Sequence, residues 1–272
     1  MIHVVTAANR HLYTTQLWEM HQERRRQCVE GNGWVDLVVV DGAEIDDFDD
    51  EQAIYLLGFD ERMALEVALR LHPTEPRCML ADKFAHLIAP DESPKKGPDV
   101  WEATRLFTTQ AYRSRKGAGR GMRVFEAWAA AIEVALRAGV SRFVGMIDIS
   151  LYPGIQASPV TTRLVGLPQP YAYGVVAGSE IALCAELLVQ IRNAIGLEGP
   201  VSYLVEDEDL RLFGNLQAVQ RQVSDAMRAR AMIDDPDEAL CAIEAFYKLH
   251  DGTHAAHNVW RSRETNEMRL DA

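Results

Sequence analysis

The sequence predicts an α/β protein in which helices cover both faces of a mixed central sheet, a three-layer αβα sandwich. Three observations support this fold class. Short apolar runs of strand-like composition recur in the first hundred residues. A strand, a glycine-rich loop, a helix and a second strand follow one another over residues 100–150, the order of a parallel pair joined by a crossover helix. From about residue 206, apolar residues recur at spacings of three and four, so we expect a helical C-terminal extension.

Apolar periodicity and breaker residues place the elements in chain order. We expect strands at residues 2–6, 34–40, 53–59, 63–71, 100–109, 142–150 and 171–177. We expect helices at residues 9–27, 79–88, 122–138, 180–195 and 234–250, with another beginning near 206. Residues 89–99, rich in proline and charge, predict a loop. The chain therefore divides into residues 1–205 and an extension, residues 206–272, to which the sequence assigns no role.

Composition restricts the function classes. The chain has 272 residues and a net charge of −12, which argues against general nucleic-acid binding, where a basic face is expected. Its four cysteines form no C-x-x-C pair, which is typical of reduced thiols. The first residues lack the pattern of a signal peptide, and no apolar run approaches the ~20 residues of a spanning helix. We expect a cytoplasmic protein without a membrane span.

Acids and arginines alternate with apolar strands between residues 24 and 105. The run 44–50 carries five carboxylates in seven residues, and a solvated loop is the ordinary interpretation of such a run. Acids, guanidinium groups and an aromatic residue could instead surround one small zwitterionic ligand. For the arginines, the alternative is that they only pair with the acidic run. The candidate site residues are Arg24, Trp34, Glu44, Asp46, Asp49, Arg70, Phe84, Glu102, Thr104 and Arg105.

In the segment Glu102-Ala-Thr104-Arg105, the shape of the strand decides which side chains face the same pocket. In a regular strand Glu102 and Thr104 share one face, and Arg105 points to the other. Glu102 and Arg105 can serve one pocket only across a β-bulge, a feature that is common next to active sites.

Residues 113–121, hereafter the basic segment, precede a helix and are rich in glycine and arginine. Residues 103–125 contain no acidic residue. Glycines and a helix N-terminus suit a phosphate group, so Arg115, Lys116 and Arg120 are candidates for binding a phosphate-bearing substrate or an acidic partner. The alternative is a solvated face. His250, His254 and His257 have a spacing compatible with zinc, but a solvated tail is favoured and we expect no metal site.

Taken together, the residues between 24 and 105 resemble the acyl-homoserine lactone synthases of the LuxI type. The pattern consists of Arg24, Trp34, Glu44-x-Asp46-x-x-Asp49, Arg70-Leu71-x-Pro73-Thr74, Phe84 and Glu102-x-Thr104-Arg105. Order and spacing agree over residues 20–110 and more loosely to about 200. The resemblance departs at Cys28, where the family has an aromatic residue, and at Thr104, where it has serine. Residues from about 206 extend past the family's usual end.

The resemblance implies a fold similar to the GNAT acyltransferases and the synthesis of a quorum-sensing autoinducer. S-adenosylmethionine would accept an acyl group from acyl carrier protein or coenzyme A, with no tightly bound cofactor. Its amine must lose a proton before it attacks the thioester, and Glu44 or Glu102 is the candidate base. Backbone N–H groups near residues 104–107 would stabilise the oxyanion, and an arginine would fold the carboxylate back for lactonisation with loss of methylthioadenosine.

By the same resemblance, Glu44, Glu102 and Arg105 are expected to be catalytic, and the other candidates to bind substrate. Two rival functions remain open. One is a GNAT-type N-acetyltransferase that uses acetyl-CoA and does not need the charged set between Arg24 and Asp49. The other is an inactive relative that only binds an acyl ligand or a carrier protein.

Overall fold

A mixed sheet of nine strands runs through the computed structural model, which describes residues 1–34, 37–93, 95–115, 121–197 and 199–228. The strands of the described chain are β1 (Ile2–Val5), β2 (Val39–Val40), β3 (Ala43–Glu44), β4 (Ile54–Phe59), β5 (Leu65–Pro73), β6 (Val100–Thr108), β7 (Arg142–Asp148), β8 (Arg163–Leu164), β9 (Gln169–Tyr171), β10 (Gly174–Ala182) and β11 (Ser202–Tyr203). The helices are α1 (Thr14–Arg24), α2 (Met79–Asp82), α3 (Gln110–Arg113), α4 (Met122–Arg137), α5 (Tyr152–Gln156), α6 (Ala185–Ile195), α7 (Asp207–Phe213) and α8 (Leu216–Arg228).

The strands of the sheet lie in the order β11-β1-β4-β5-β6-β7-β10-β8, with β9 also paired to β10, while β2 and β3 pair separately. The pairs β1–β11 and β6–β7 are parallel, and the other pairs are antiparallel. Helix α4 connects β6 to β7, which confirms the predicted crossover unit. Helix α1 packs against β3 and β5, and α4 packs against α6 and the central strands. The mixed sheet with flanking helices agrees with the predicted α/β fold class.

Strands β6 and β7 separate part of the way along the sheet. Their pairing covers Val100–Glu102 and Arg142–Val144 in the described structure. Beyond this point β6 pairs with β5, and β7 pairs with β10. Residues 103–106 and 146–148 are half-buried, although both strands lie in the middle of the sheet. A Cβ on Gly145 would lie 2.6 Å from the carbonyl oxygen of Ala103, so glycine permits the close approach at this point. The separation forms what we call the β6–β7 cleft.

Strand β6 contains a β-bulge beside the cleft. Ala68 lies opposite Phe107 and Arg70 opposite Thr104, so Arg105 and Leu106 together oppose one residue of β5. Arg105 adopts φ 56°, a left-handed conformation that a non-glycine residue rarely occupies. The bulge therefore fulfils the condition under which Arg105 can face the same side of the sheet as Thr104.

Several predicted boundaries were wrong for physical reasons. The expected strand at 34–40 contains only β2 within its described residues, and β2 pairs with β3 outside the main sheet. The expected helix at 9–27 consists of a 3-10 turn, α1 and a π-helical segment, Arg25–Gly31. The expected helix at 180–195 begins at Ala185, because pairing with β7 keeps residues up to Ala182 in β10.

The helices expected from residue 206 are present up to Arg228 as α7 and α8. Val219 and Val223 of α8 are buried in the main hydrophobic core. The predicted helix at 234–250 and the three C-terminal histidines lie outside the described residues. Within the described chain, no helix combines the length and hydrophobicity that crossing a membrane requires.

Candidate active site

The charged candidates converge on one face of the sheet, opposite α4. Arg70 of β5 lies directly opposite Tyr55 of β4 and Thr104 of β6, and directly opposed side chains share a face. Helix α1 brings Arg24 onto this face at its last residue. The acidic run closes over the group as a turn in which Asp49 accepts a hydrogen bond from the backbone N–H of Asp46 at 2.8 Å. Strand, helix and turn therefore each contribute charges to one site.

Three arginines and three carboxylates in this site form a closed ring of ion pairs. The order around this ion ring is Arg24, Glu44, Arg105, Asp46, Arg70, Asp49 and back to Arg24. Arg24 binds both oxygens of Asp49 at 2.7 and 2.9 Å, and Arg70 binds both oxygens of Asp46 at 2.6 and 3.0 Å. Arg105 donates to Glu44 at 2.9 Å and to Asp46 at 2.8 Å. Arg24 and Asp46 also lie 3.6 Å apart across the ring. Each charge thus has at least two opposite partners, and the ring is formally neutral.

Burial makes this compensation necessary. The side chains of Arg24 and Glu44 have no exposed surface, and Arg105 is 6% exposed. Burial opposes ionisation of Asp49, but Arg24 and Arg70 outweigh it and lower the pKa of Asp49 well below its usual value. Burial likewise opposes the ionisation of Glu44, yet its hydrogen bond and charge interaction with Arg105 lower its pKa. The three carboxylates of the ring are therefore ionised at neutral pH, and the acidic run is not a solvated loop.

Glu102 lies one row along the same face and has different surroundings. Its two carboxylate oxygens accept the backbone N–H groups of Met79 and Leu80, each at 2.7 Å, at the start of α2. Burial raises the pKa of Glu102, although the two N–H groups and Arg70 oppose this effect. A carboxylate offers about four acceptor positions, so lone pairs remain for a further donor. Of the two candidate bases, Glu102 is the more basic.

The predicted aromatic residues line one edge of the ion ring. The Trp34 ring lies 5.6 Å from the guanidinium carbon of Arg105, within the range of a cation–π contact. Tyr171 joins the two aromatic candidates, because its ring contacts Trp34 at 5.9 Å and Phe84 at 5.7 Å between centroids. Phe84 and Tyr171 also pack against an apolar cluster beneath α2. The aromatic group thus connects the charged site to an apolar one.

Sequence reasoning did not single out Tyr55 and Tyr171. Tyr55 donates its hydroxyl to Asp49 at 2.9 Å, and its alternation with Ile54 and Leu56 was the signal that it shares the face of Arg70. Tyr171 begins a predicted strand, and the sequence pattern assigns it no role in the site. Thr104 accepts a hydrogen bond from Arg70 Nε at 3.1 Å, which holds the guanidinium toward the ring.

The basic segment lies apart from these contacts. Arg115 follows α3, is 45% exposed, and forms ion pairs with Glu66 and Asp60. Arg123, in the first turn of α4, also binds Glu66, at 2.6 Å. Lys116 and Arg120 lie outside the described residues. The structure therefore brings together the candidates from Arg24 to Arg105 and places Arg115 in a separate acidic environment.

Comparison with known proteins identifies the family. A family model described as autoinducer synthase matches residues 8–187. The chain belongs to the autoinducer synthase family. An isovaleryl-homoserine lactone synthase of Bradyrhizobium diazoefficiens is 28% identical to this autoinducer synthase over 197 residues, which cover 72% of the chain and 86% of the relative. An acyl-homoserine-lactone synthase of Pseudomonas chlororaphis is 44% identical over 69 residues, which cover 25% of the chain and 34% of the relative.

Solved structures agree with this family. The CoA-dependent acyl-homoserine lactone synthase BjaI, with SAM and isopentyl-CoA, matches this autoinducer synthase with a TM-score of 0.68 and 26% identity. The match covers 82% of the chain and 99% of BjaI. TofI, in a ternary complex with an inhibitor and MTA, matches with a TM-score of 0.57 and 27% identity over 72% of the chain and 96% of TofI. The resemblance inferred from the residues is confirmed, and the autoinducer synthase is an acyl-transferring enzyme.

Proposed function

We propose that this autoinducer synthase transfers a short acyl group from acyl-CoA to the amine of S-adenosylmethionine and then closes the homoserine lactone. The observation that carries the proposal is the closed, neutral ion ring beside the β6–β7 cleft. A neutral ring of buried charges suits a ligand that itself carries both signs, because such a ligand can exchange partners with the ring. A ligand of one sign would leave an uncompensated buried charge, which is costly.

In this mechanism the ion ring receives the acceptor. The carboxylate of S-adenosylmethionine binds an arginine of the ring, and its cationic groups face Glu44, Asp46 or Asp49. Trp34 covers the bound molecule, and Thr104 keeps Arg70 in position. Holding the carboxylate close to the γ-carbon of the same molecule makes lactone closure an intramolecular step, and proximity lowers its barrier. Attack of this carboxylate forms the ring C–O bond and breaks the bond to sulfur, releasing methylthioadenosine.

Acyl transfer takes place where the ion ring meets the cleft. The Glu102 carboxylate, directly or through a water molecule, takes the proton from the acceptor amine before attack. The backbone N–H groups of residues 103–106 that face β7 are placed where pairing with β7 has ended, so they can donate to the oxyanion of the thioester. The leaving thiolate then departs as coenzyme A. The related CoA-dependent structure supports coenzyme A as the carrier.

A small apolar cluster supports a short acyl group. It lies on the face of the ion ring, against the paired ends of β6 and β7, and consists of Cys78, Leu80, Leu87, Val100, Val144, Val165 and Val176. Its far wall is tightly packed, because a Cβ on Gly166 or Gly178 would lie 2.2 or 2.8 Å from the carbonyl oxygen of Leu87. The isovaleryl-homoserine lactone synthase among the relatives supports a short, branched chain such as isovaleryl.

The test is to incubate the protein with S-adenosylmethionine and a panel of acyl-CoAs and acyl carrier proteins of increasing chain length. We expect the lactone, identified by mass spectrometry, and methylthioadenosine in equal amounts. We expect short branched acyl-CoAs to give the highest kcat/KM. Acylation of an ordinary amine without methylthioadenosine would favour an N-acetyltransferase. Binding of donor and acceptor without any product would favour an inactive relative.

A further inference from the structure

Helices α7 and α8 lie beyond residues 8–187, the range matched by the family model. They are nevertheless firmly packed on the catalytic domain. Val219 has no exposed surface and Val223 is 4% exposed, and both belong to the main core. Leu210, Phe213 and Leu216 pack against the same core. The first part of the C-terminal extension therefore has a fixed position relative to the sheet.

A chain of hydrogen bonds connects α8 to the turn between β4 and β5. The side-chain amide of Gln220 donates to the carbonyl oxygen of Asp60 at 2.8 Å. The side-chain oxygen of Gln220 consequently faces His3 Nε2 at 3.1 Å, so His3 Nε2 must carry the proton. His3 Nδ1 then accepts from the Tyr13 hydroxyl at 2.8 Å. Burial lowers the pKa of His3 to about 3, so a neutral ring with this tautomer fits every partner. Gln217 donates in the same way to the carbonyl oxygen of Glu61.

The same turn and the strand after it hold two arginines, Arg115 of the basic segment and Arg123 of α4. Asp60 Oδ1 accepts the backbone N–H groups of Arg62 and Ala64 at 2.9 and 3.0 Å, which fixes the turn. Its other oxygen lies 3.3 Å from Arg115. Glu66, just after the turn, binds both Arg115 and Arg123. Arg115 and Arg123 therefore share Glu66 as a partner.

A cavity of about 600 Å³ lies beside these groups. Gln220 and Ser224 of α8 line it together with Asp60, Arg115 and Arg123. The extension therefore contributes to the walls that surround the arginines, although no direct hydrogen bond between α8 and either arginine is present in the described structure.

We propose that the C-terminal extension positions Arg115 for the acyl donor, and that Gln220 is the positioning residue that acts on Arg115 through the Asp60 turn. The inference rests on the proposed function, because it takes Arg115 to bind the phosphate-bearing arm of acyl-CoA. Gln220 itself does not touch the donor. It fixes the turn in which the Asp60 carboxylate lies 3.3 Å from Arg115.

The test is a steady-state comparison of variants with isovaleryl-CoA as the donor. Gln220→Met keeps the length of the side chain and removes both of its hydrogen bonds. We expect the KM for the donor to rise about two- to ten-fold, the range expected from the loss of one net hydrogen bond, with kcat and the KM for S-adenosylmethionine unchanged. Val223→Ala is the matched control on the same helix, since it weakens packing and leaves the turn untouched. Gln220→Glu, which still accepts from His3 but cannot donate to Asp60, should reproduce the effect of Gln220→Met.

A double-mutant cycle tests the route through Arg115. In the Arg115→Ala background, Gln220→Met should not raise the donor KM further, because the group it positions is gone. A full additional increase would overturn the proposed route. An unchanged donor KM in both Gln220 variants would overturn the positioning role, and so would an equal increase in Val223→Ala. Lactone formation by the unmutated protein would still uphold the proposed function. Absence of lactone from the unmutated protein would overturn the function and this inference together.

Discussion

At the level of single residues, each member of the ion ring has at least two partners of opposite charge. Removing one member leaves two buried charges with only half of their compensation, and breaking a buried pair from one side is far more costly than losing a surface pair. The ring therefore ties catalysis and stability to the same residues. Variants in the ring must be assessed for folding before a loss of activity is assigned to chemistry.

Asp49→Asn tests the stability of the ring. The carboxylate of Asp49 is 2% exposed and binds Arg24 and Arg70. We expect the free energy of unfolding, measured with urea, to fall by about 3–5 kcal/mol. Asp47→Asn is the control in the same acidic run, because Asp47 is 73% exposed and pairs only loosely with Lys83 at 3.2 Å. It should change stability by no more than about 1 kcal/mol. Equal effects of the two substitutions would contradict the energetic role of the ring.

The ring also predicts how stability depends on pH. The pKa values of Glu44, Asp46 and Asp49 are all lowered in the folded protein. Their contribution to stability is therefore complete above the unfolded pKa values near 4 and is lost as the pH falls through the lower folded values. We expect the free energy of unfolding to decrease steeply below about pH 4, and to decrease less steeply in Asp49→Asn. A flat profile between pH 5 and pH 3 would contradict the lowered pKa values.

Glu102→Gln tests the proposed base. The substitution keeps the shape of the side chain and removes the charge, so we expect kcat to fall about 10²–10⁴-fold. The melting temperature should change little, because the loss of one N–H···O contact at α2 is offset by removal of a buried charge. Because burial raises the pKa of Glu102, activity of the unmutated enzyme should decline on the acid side at a pH above the usual range for glutamate. If Glu102→Gln stays active and folded Glu44→Gln is inactive, the base is Glu44. Activity in both folded variants would exclude carboxylate assistance.

At the level of secondary-structure elements, the site depends on two irregularities of β6. The bulge turns Arg105 toward the ion ring, and the separation from β7 opens the cleft. The residue pattern predicted which side chains carry charge and that a bulge was needed, because alternation along a strand is a local property. It did not predict the ring, since the pairing of Arg105 with Glu44 and Asp46 depends on a left-handed backbone at a non-glycine residue. Likewise, tertiary pairing extended β10 through residues that have helical propensity.

Gly145→Ala tests the cleft. A methyl group at this position would meet the Ala103 carbonyl oxygen at 2.6 Å and must push β6 and β7 apart where the cleft begins. We expect kcat/KM for the acyl donor to fall at least about tenfold, since a displacement of about 1 Å near reacting groups can cost far more. Binding of S-adenosylmethionine, measured by calorimetry, should be retained because the ion ring is untouched. Gly154→Ala is the control, as a Cβ there meets nothing within 4 Å. A donor kcat/KM that is unchanged in Gly145→Ala would contradict the position of the donor in the cleft.

At the level of the whole molecule, charge is distributed unevenly. The net charge is −12, yet residues 103–125 contain six arginines or lysines and no acid. Two described arginines of this region, Arg115 and Arg123, take their compensating carboxylates from Asp60, Glu66 and Glu126. A donor that carries several phosphate charges is repelled by the net charge of the molecule and attracted by the basic residues of this region. The basic segment is therefore proposed as the point of entry for acyl-CoA. Its charges should attract the donor, and added salt should weaken this attraction.

Replacing Arg115, Lys116 and Arg120 together with alanine tests this point of entry. We expect the KM for acyl-CoA to rise and its dependence on salt concentration to become flatter, because the charges that salt would screen are gone. The KM for S-adenosylmethionine should stay constant, since Arg115 makes no contact with the ion ring in the described structure. The matched control is alanine at Arg26, Lys96 and Arg211, which changes the net charge equally at three partly or fully exposed positions elsewhere. An equal rise in donor KM in this control would assign the effect to net charge alone. Unchanged donor kinetics in the first variant would mean that the basic segment is only a solvated face.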